Sequence, residues 1–143
     1  MKYRKAEKAD LDQVVRVAST AFEDYLFLKV IKDLVRDPTQ YLAFVGAMIR
    51  FLVNGILTGH FCLVAEKNDE IYAVALLQKG PIPFRAYLLN GGFGLLKFIS
   101  LKNMLSYFKF MEDTDKELEQ NVDFDWYLML LAVAPKHQRQ GYG

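Results

Sequence analysis

Apolar residues recur along this chain with two different periods, and the switches between them divide it into elements. Residues 2–6 read as a short first strand, and Asp10 then stands where a helix N-cap is expected. Leu11, Val14, Val15, Val17, Ala18, Ala21 and Phe22 fall on one face at helical spacing, so an amphipathic helix is predicted to about residue 22. Apolar residues continue from Tyr25 to Ile31. Asp37-Pro38 marks a break, because proline drives the residue before it out of the helical region, and a second helix is predicted over residues 39–57. Residues 60–66 and 71–77 are then two strand-length runs around the turn Lys67-Asn68-Asp69-Glu70, the pattern of a β-hairpin.

The next stretch is less regular. Gly80-Pro81-Ile82-Pro83 interrupts the pattern, and helices are predicted between residues 84 and 118. Phe93, Leu95, Leu96, Phe98, Ile99, Leu101, Met104, Leu105, Tyr107, Phe108, Phe110 and Met111 are too many apolar side chains for a surface loop, so this region must pack on something. Trp126-Tyr127-Leu128-Met129-Leu130-Leu131-Ala132-Val133 follows, a run that suits a central strand buried on both faces. Pro135, which has no N–H to donate, ends its ladder.

Composition narrows the class. A chain of 143 residues that is 52% hydrophobic is expected to fold as one domain, 1–143, with residues 78–120 as a helical insert, and is excluded from the disordered class. A formal net charge of +1 with scattered basic residues argues against nucleic acid as a partner. Cys62 is the single cysteine and lies in the apolar run Phe61-Cys62-Leu63-Val64-Ala65, so it reads as a buried, inert thiol. The charged N-terminus lacks the apolar segment of a secretory signal, and a cytoplasmic location is expected. Residues 41–65 carry only Arg50 as a formal charge, nearly enough for a membrane span. Gly55 and Gly59-His60 interrupt the run, which reads as a helix followed by a strand, with a transmembrane segment as the alternative. His60, Cys62 and His137 have no companions at metal-ligand spacing, and no metal is predicted.

The last residues carry the most specific chemistry. After Val133-Ala134-Pro135 come Lys136, His137, Gln138, Arg139, Gln140, Gly141, Tyr142 and Gly143, in which Gln138, Gly141 and Gly143 fit the spacing Q-x-x-G-x-G. Successive backbone N–H groups in a tight turn form an anion-binding concavity, glycines allow close approach, and Arg139 can add a charge-assisted contact to phosphate. The alternative is a solvated surface turn or an unstructured C-terminus. The whole segment L-A-V-x-P-x-x-Q-x-x-G-x-G resembles the acetyl-coenzyme A signature of the GNAT superfamily of N-acetyltransferases. The first strand, the x-x-A-D-L step and the hairpin resemble the start of such domains, and the insert resembles a subgroup with helices before the fourth strand.

That resemblance implies an α+β fold with α/β/α layers, in which a mixed, mostly antiparallel sheet is flanked by helices. It implies acetyl transfer from acetyl-coenzyme A, as cosubstrate, to a primary amine of a small molecule or peptide. Carried over by position, the backbone of Leu131, Ala132 and Val133 would bind the pantetheine arm. Gln138, Arg139, Gln140, Gly141, Tyr142 and Gly143 would hold the pyrophosphate. Asp125 and Tyr127, with Asp123, are candidate catalytic groups near the start of the fourth strand, although acidic residues there are commonly solvated turn residues. Glu66 and Tyr25 are further acceptor-side candidates. The insert reads either as a wall or lid of the acceptor pocket or as core packing and a dimer contact.

The resemblance also places the following helix, the later strands and the tyrosine general acid beyond Gly143, so the C-terminal part of the fold is expected to be missing. The fourth strand would then show an unpaired edge, with a homodimer or other self-association through it. A non-catalytic interaction module completed by another chain is the competing functional class.

Overall fold

Strands and helices follow one another in the order that the patterning predicts, in a computed structural model that describes residues 1–25, 31–80, 84–122 and 125–142. They are β1 (Lys2–Lys5), α1 (Leu11–Ala21), α2 (Tyr41–Gly59), β2 (Phe61–Lys67), β3 (Glu70–Gln78), α3 (Phe84–Leu89), α4 (Leu101–Asn121) and β4 (Tyr127–Val133). The sheet has the order β1-β2-β3-β4, and each neighbouring pair is antiparallel. Of the predicted features, part of the apolar run after Tyr25, the Pro81-Ile82-Pro83 break, Asp123 and Gly143 lie outside the described residues.

The β2–β3 hairpin closes as its sequence demands. Asn68 and Asp69 both take positive φ, 53° and 60°, the left-handed pair of a two-residue turn whose twist matches that of the strands. These two residue types tolerate that conformation best after glycine.

One face of the sheet is the floor of the core. Cys62 and Val64 on β2 stand opposite Leu76 and Val74 on β3, and all four are buried under α1 and α2, which also pack on each other. The inert reading of Cys62 holds: the side chain is fully buried, and burial pushes its thiol up to about 12. Helix α2 is long and apolar enough to cross a bilayer, yet Phe44, Val45, Met48, Ile49, Phe51, Val53 and Ile56 are buried against the rest of the protein. Its start is set by Asp37, whose carboxylate accepts from the Thr39 N–H at 2.9 Å.

The insert packs in part: Leu95, Ile99, Met104, Tyr107 and Phe108 are buried, whereas Phe93, Leu101, Leu105 and Phe110 stay exposed. Ser100 caps α4 by accepting from the Asn103 N–H at 3.1 Å, and Met104, Tyr107 and Phe108 turn inward. The Phe108 ring lies 5.3 Å from that of Phe51 on α2. A backbone bond from Arg36 N–H to the Phe98 carbonyl, at 2.9 Å, ties the middle of the insert to the segment before α2.

Two expectations need correction. Asp10 holds the N-cap position of α1 as expected, but its side chain makes no capping bond there. It accepts instead from both Arg4 terminal nitrogens, at 2.6 and 2.9 Å, and from the Glu7 N–H at 2.8 Å. The Arg4 guanidinium, six residues earlier on β1, outcompetes the helix terminus because its charge-assisted pair is the stronger bond. The second correction concerns β4, which is not buried on both faces. Ala132 is buried against the helices, but Leu128 and Leu131 are 49% and 48% exposed, and β4 pairs only with β3 among the described residues. The opposite sheet face, carrying Tyr3, Leu63 and Leu131, is uncovered by any described element. An apolar run reports what a strand can bury and not which neighbour covers it.

Candidate functional site

Strand β4 carries a different candidate site at each end. At its C-terminal end, Pro135–His137 makes a single 3-10 turn, after which Arg139 and Gly141 both take left-handed φ, 61° and 77°. Alternation of this kind turns successive N–H groups toward one concavity. The N–H groups of Arg139, Gln140, Gly141 and Tyr142 donate to no described residue. Side-chain bonds shape the turn from behind: Gln138 Nε2 donates to the Val133 carbonyl at 3.0 Å, and Gln140 Nε2 to the Lys136 carbonyl at 3.2 Å. Gln138 thus supports the loop, a role its place in the motif does not reveal.

The loop is also tied to β3. The His137 ring stacks on Tyr72 with centroids 3.5 Å apart and planes 6° from parallel, and Tyr142 meets Tyr72 edge-on at 5.7 Å. Lys136 pairs with Glu70, and its hydrogen bond holds that exposed carboxyl below its ordinary value. The Ala134 N–H donates to the Tyr72 carbonyl at 2.9 Å, so residue 134 faces β3. Because N–H groups alternate sides along a strand, Ala132 also faces β3, while Leu131 and Val133 point their backbone groups to the open edge. Of the three residues expected to line an extended arm, two therefore present backbone outward. Gly143 lies outside the described residues.

At the other end of β4 a cleft of about 360 Å³ opens on the helix side of the sheet. The end of α1 contributes Phe22 and, just beyond it, Tyr25; α2 contributes Met48, Ile49 and Leu52; β4 contributes Tyr127, Met129 and Leu130. The ladder slips between Leu76 and Leu77, so that Met129 is the extra residue of a bulge at the cleft. The insert builds the remaining wall, with Tyr107, Phe110, Met111, Thr114 and Asp115 from one face of α4. Burial pushes the Tyr107 phenol up to about 12.

The predicted catalytic candidates separate here. Tyr127 lines the cleft, whereas Asp125 is exposed and does not. Tyr25 lines it too. Glu66 is held elsewhere, accepting from Arg4 Nε at 2.5 Å. His60 is a strand-boundary residue whose Nδ1 accepts from the Lys79 N–H at 3.2 Å. Asp115 was missed by the sequence reading. Among the described residues it is the only formally charged side chain on the cleft wall, and burial, then repulsion from Glu119, raises its carboxyl above the ordinary value. The signal was present: Tyr107, Phe110, Met111, Thr114 and Asp115 form one helical stripe, and an acid that ends an otherwise apolar stripe marks a change of purpose.

No protein-family model matches the chain, and no curated protein matches it. The structure is similar to a crystal structure from Corynebacterium glutamicum described as histone acetyltransferase HPA2 and related acetyltransferase, with a TM-score of 0.61 and 17% sequence identity. The match covers 99% of this chain and 65% of that one, so the chain spans a little under two thirds of the length of the structure it matches. The fold is therefore that of the GNAT-type acetyltransferases: α+β, with an antiparallel sheet flanked by helices.

Proposed function

We propose that the protein is an N-acetyltransferase that takes its acetyl group from acetyl-coenzyme A and delivers it to a primary amine of a small molecule or peptide. One observation carries this reading above the others. Four consecutive N–H groups without a partner among the described residues, with left-handed residues at Arg139 and Gly141, stand at the end of a strand whose outer edge pairs with no described strand. Such a loop suits a pyrophosphate, and the outward backbone of Leu131 and Val133 suits the amide-bearing arm attached to it. When bound, acetyl-coenzyme A supplies an activated acyl carbon that passes to the amine with release of the thiol.

The chain's own part is to bind, orient and dry. The loop fixes one end of the cosubstrate, and the β4 edge lays the arm toward the cleft, about 13 Å away for the four residues from Val133 to Met129. Apolar walls from α2 and α4 exclude water from an amine held there, which raises the fraction of productive encounters. Tyr127, on the cleft wall, is the better placed of the two catalytic candidates. The uncovered sheet face favours a second reading, a GNAT-fold module that binds another chain without catalysis.

Calorimetric titration of the full-length protein with coenzyme A, followed by thiol-release assays with acetyl-coenzyme A and a panel of primary amines, tests the proposal. Saturable binding and amine-dependent thiol release are expected. Binding without turnover for every amine would favour the non-catalytic module, and absence of binding by folded protein would remove the loop assignment.

A further inference from the structure

We propose that the cleft beside α4 is a recognition site for a small organic ammonium with an apolar, ring-sized body, and that Asp115 pairs with its cationic nitrogen. The proposal rests on the acetyl-transfer reading for its catalytic meaning, since it names the acceptor class, while its binding step stands separately. Two independent features meet in this cleft. Its walls are apolar and aromatic, with Phe22, Tyr107 and Phe110 facing a space of about 360 Å³, at the small end of ligand sites at roughly 300–1,000 Å³. A cavity of roughly 150 Å³ already accepts benzene, so a single ring with a short side chain fits.

The second feature is the lone carboxylate. Asp115 is half-buried, and no hydrogen bond or ion pair joins it to another described residue. Its neighbour Lys116 turns to Glu112 instead, at 2.6 Å, and the charge that acts on Asp115 is the repulsive Glu119. A desolvated charge without a partner is costly, and a bound cation removes that cost. Aromatic faces on the same walls favour a cation over a neutral guest of the same shape. The raised carboxyl of Asp115 agrees with this placement, because the same burial that raises it would strengthen its attraction to an ammonium. Long charged peptides suit the site poorly, as the described walls offer no further charged group.

The test compares benzylamine with benzyl alcohol, a neutral molecule of nearly the same shape, by calorimetry on the full-length protein at neutral pH. Wild type is expected to bind benzylamine at least about tenfold more tightly, equivalent to about 1.4 kcal/mol. Asp115→Asn should bring the ratio close to one, Asp115→Glu should restore part of it, and both should keep coenzyme A binding unchanged. Equal binding of the two probes by wild type would overturn the proposal. So would a ratio preserved in Asp115→Asn, or displacement of benzylamine by a lysine peptide at lower concentration. Discrimination that survives while coenzyme A fails to bind would support the ammonium site and sink acetyl transfer; coenzyme A binding without discrimination would sink the ammonium site alone.

Discussion

The two ends of β4 are built from different materials. The loop end is a backbone site: its N–H groups, two left-handed residues and supporting glutamines come from a stretch of contiguous residues. The cleft end is a side-chain site, assembled from α1, α2, α4 and β4, which lie far apart in sequence. A backbone site depends on conformation and tolerates many side chains, whereas a side-chain site depends on which residues happen to face one space. The comparison explains why a backbone loop can be read from a local motif while a side-chain pocket cannot.

The sharpest way to break the comparison is to remove the scaffold that both ends share. Leu76 is fully buried on β3, opposite Cys62 on one side and Leu130 on the other. Leu76→Ala is expected to cost about 2–5 kcal/mol in urea denaturation, the range for a leucine truncated in a packed core. Both sites should then fail together, through loss of folded protein. A loss of one ligand alone at full folding would show that the two ends are not mechanically joined.

A smaller effect is expected far from either end. Arg4 holds Asp10 and Glu66 at the β1–β2 edge, and its hydrogen bond to Asp10 is the main cause of the lowered Asp10 carboxyl, with burial opposing it. A depressed carboxyl binds fewer protons folded than unfolded, so its contribution is present above the unfolded value near roughly pH 3.9 and is lost as pH falls through the lower folded value. Arg4→Ala should cost about 2 kcal/mol at neutral pH and flatten the acid limb of the stability curve. Ligand affinity of the folded fraction should not move. An unchanged acid limb would remove this network from the account of stability.

The smallest of the three separates the ends. A Cβ at Gly141 would meet no atom within 4 Å, so Gly141→Val acts through its left-handed φ of 77° and through the space an anion would need. Coenzyme A affinity is expected to fall at least about tenfold, about 1.4 kcal/mol, with benzylamine binding in the cleft intact. Equal affinity in a folded variant would show that the anion does not sit on this loop.

The sequence was most legible where a structure is local. The hairpin turn at Asn68-Asp69 and the loop from Gln138 announce themselves because neighbours in sequence are neighbours in space. The insert was legible as something that packs, but its partner on α2, Phe51, was not. Asp10 was read rightly in position but not in role, because Arg4, on another element, takes its carboxylate, and β4 was misread because its apolar residues do not say which face is covered. Asp115 was overlooked for the same reason, since its meaning comes from Tyr107, Met129 and Phe22 arriving from three elements.

The ties between the loop and β3 carry one more consequence. Tyr72 stacks on His137 and meets Tyr142, while Lys136 reaches Glu70 across the hairpin end. These contacts form when the sheet forms, so the freedom of the loop is surrendered in folding and not at the moment of association. An incoming anion then finds donors already aimed, and its binding entropy should carry little ordering cost from the protein. The hairpin that closes the sheet is in this sense also the device that holds the loop in readiness.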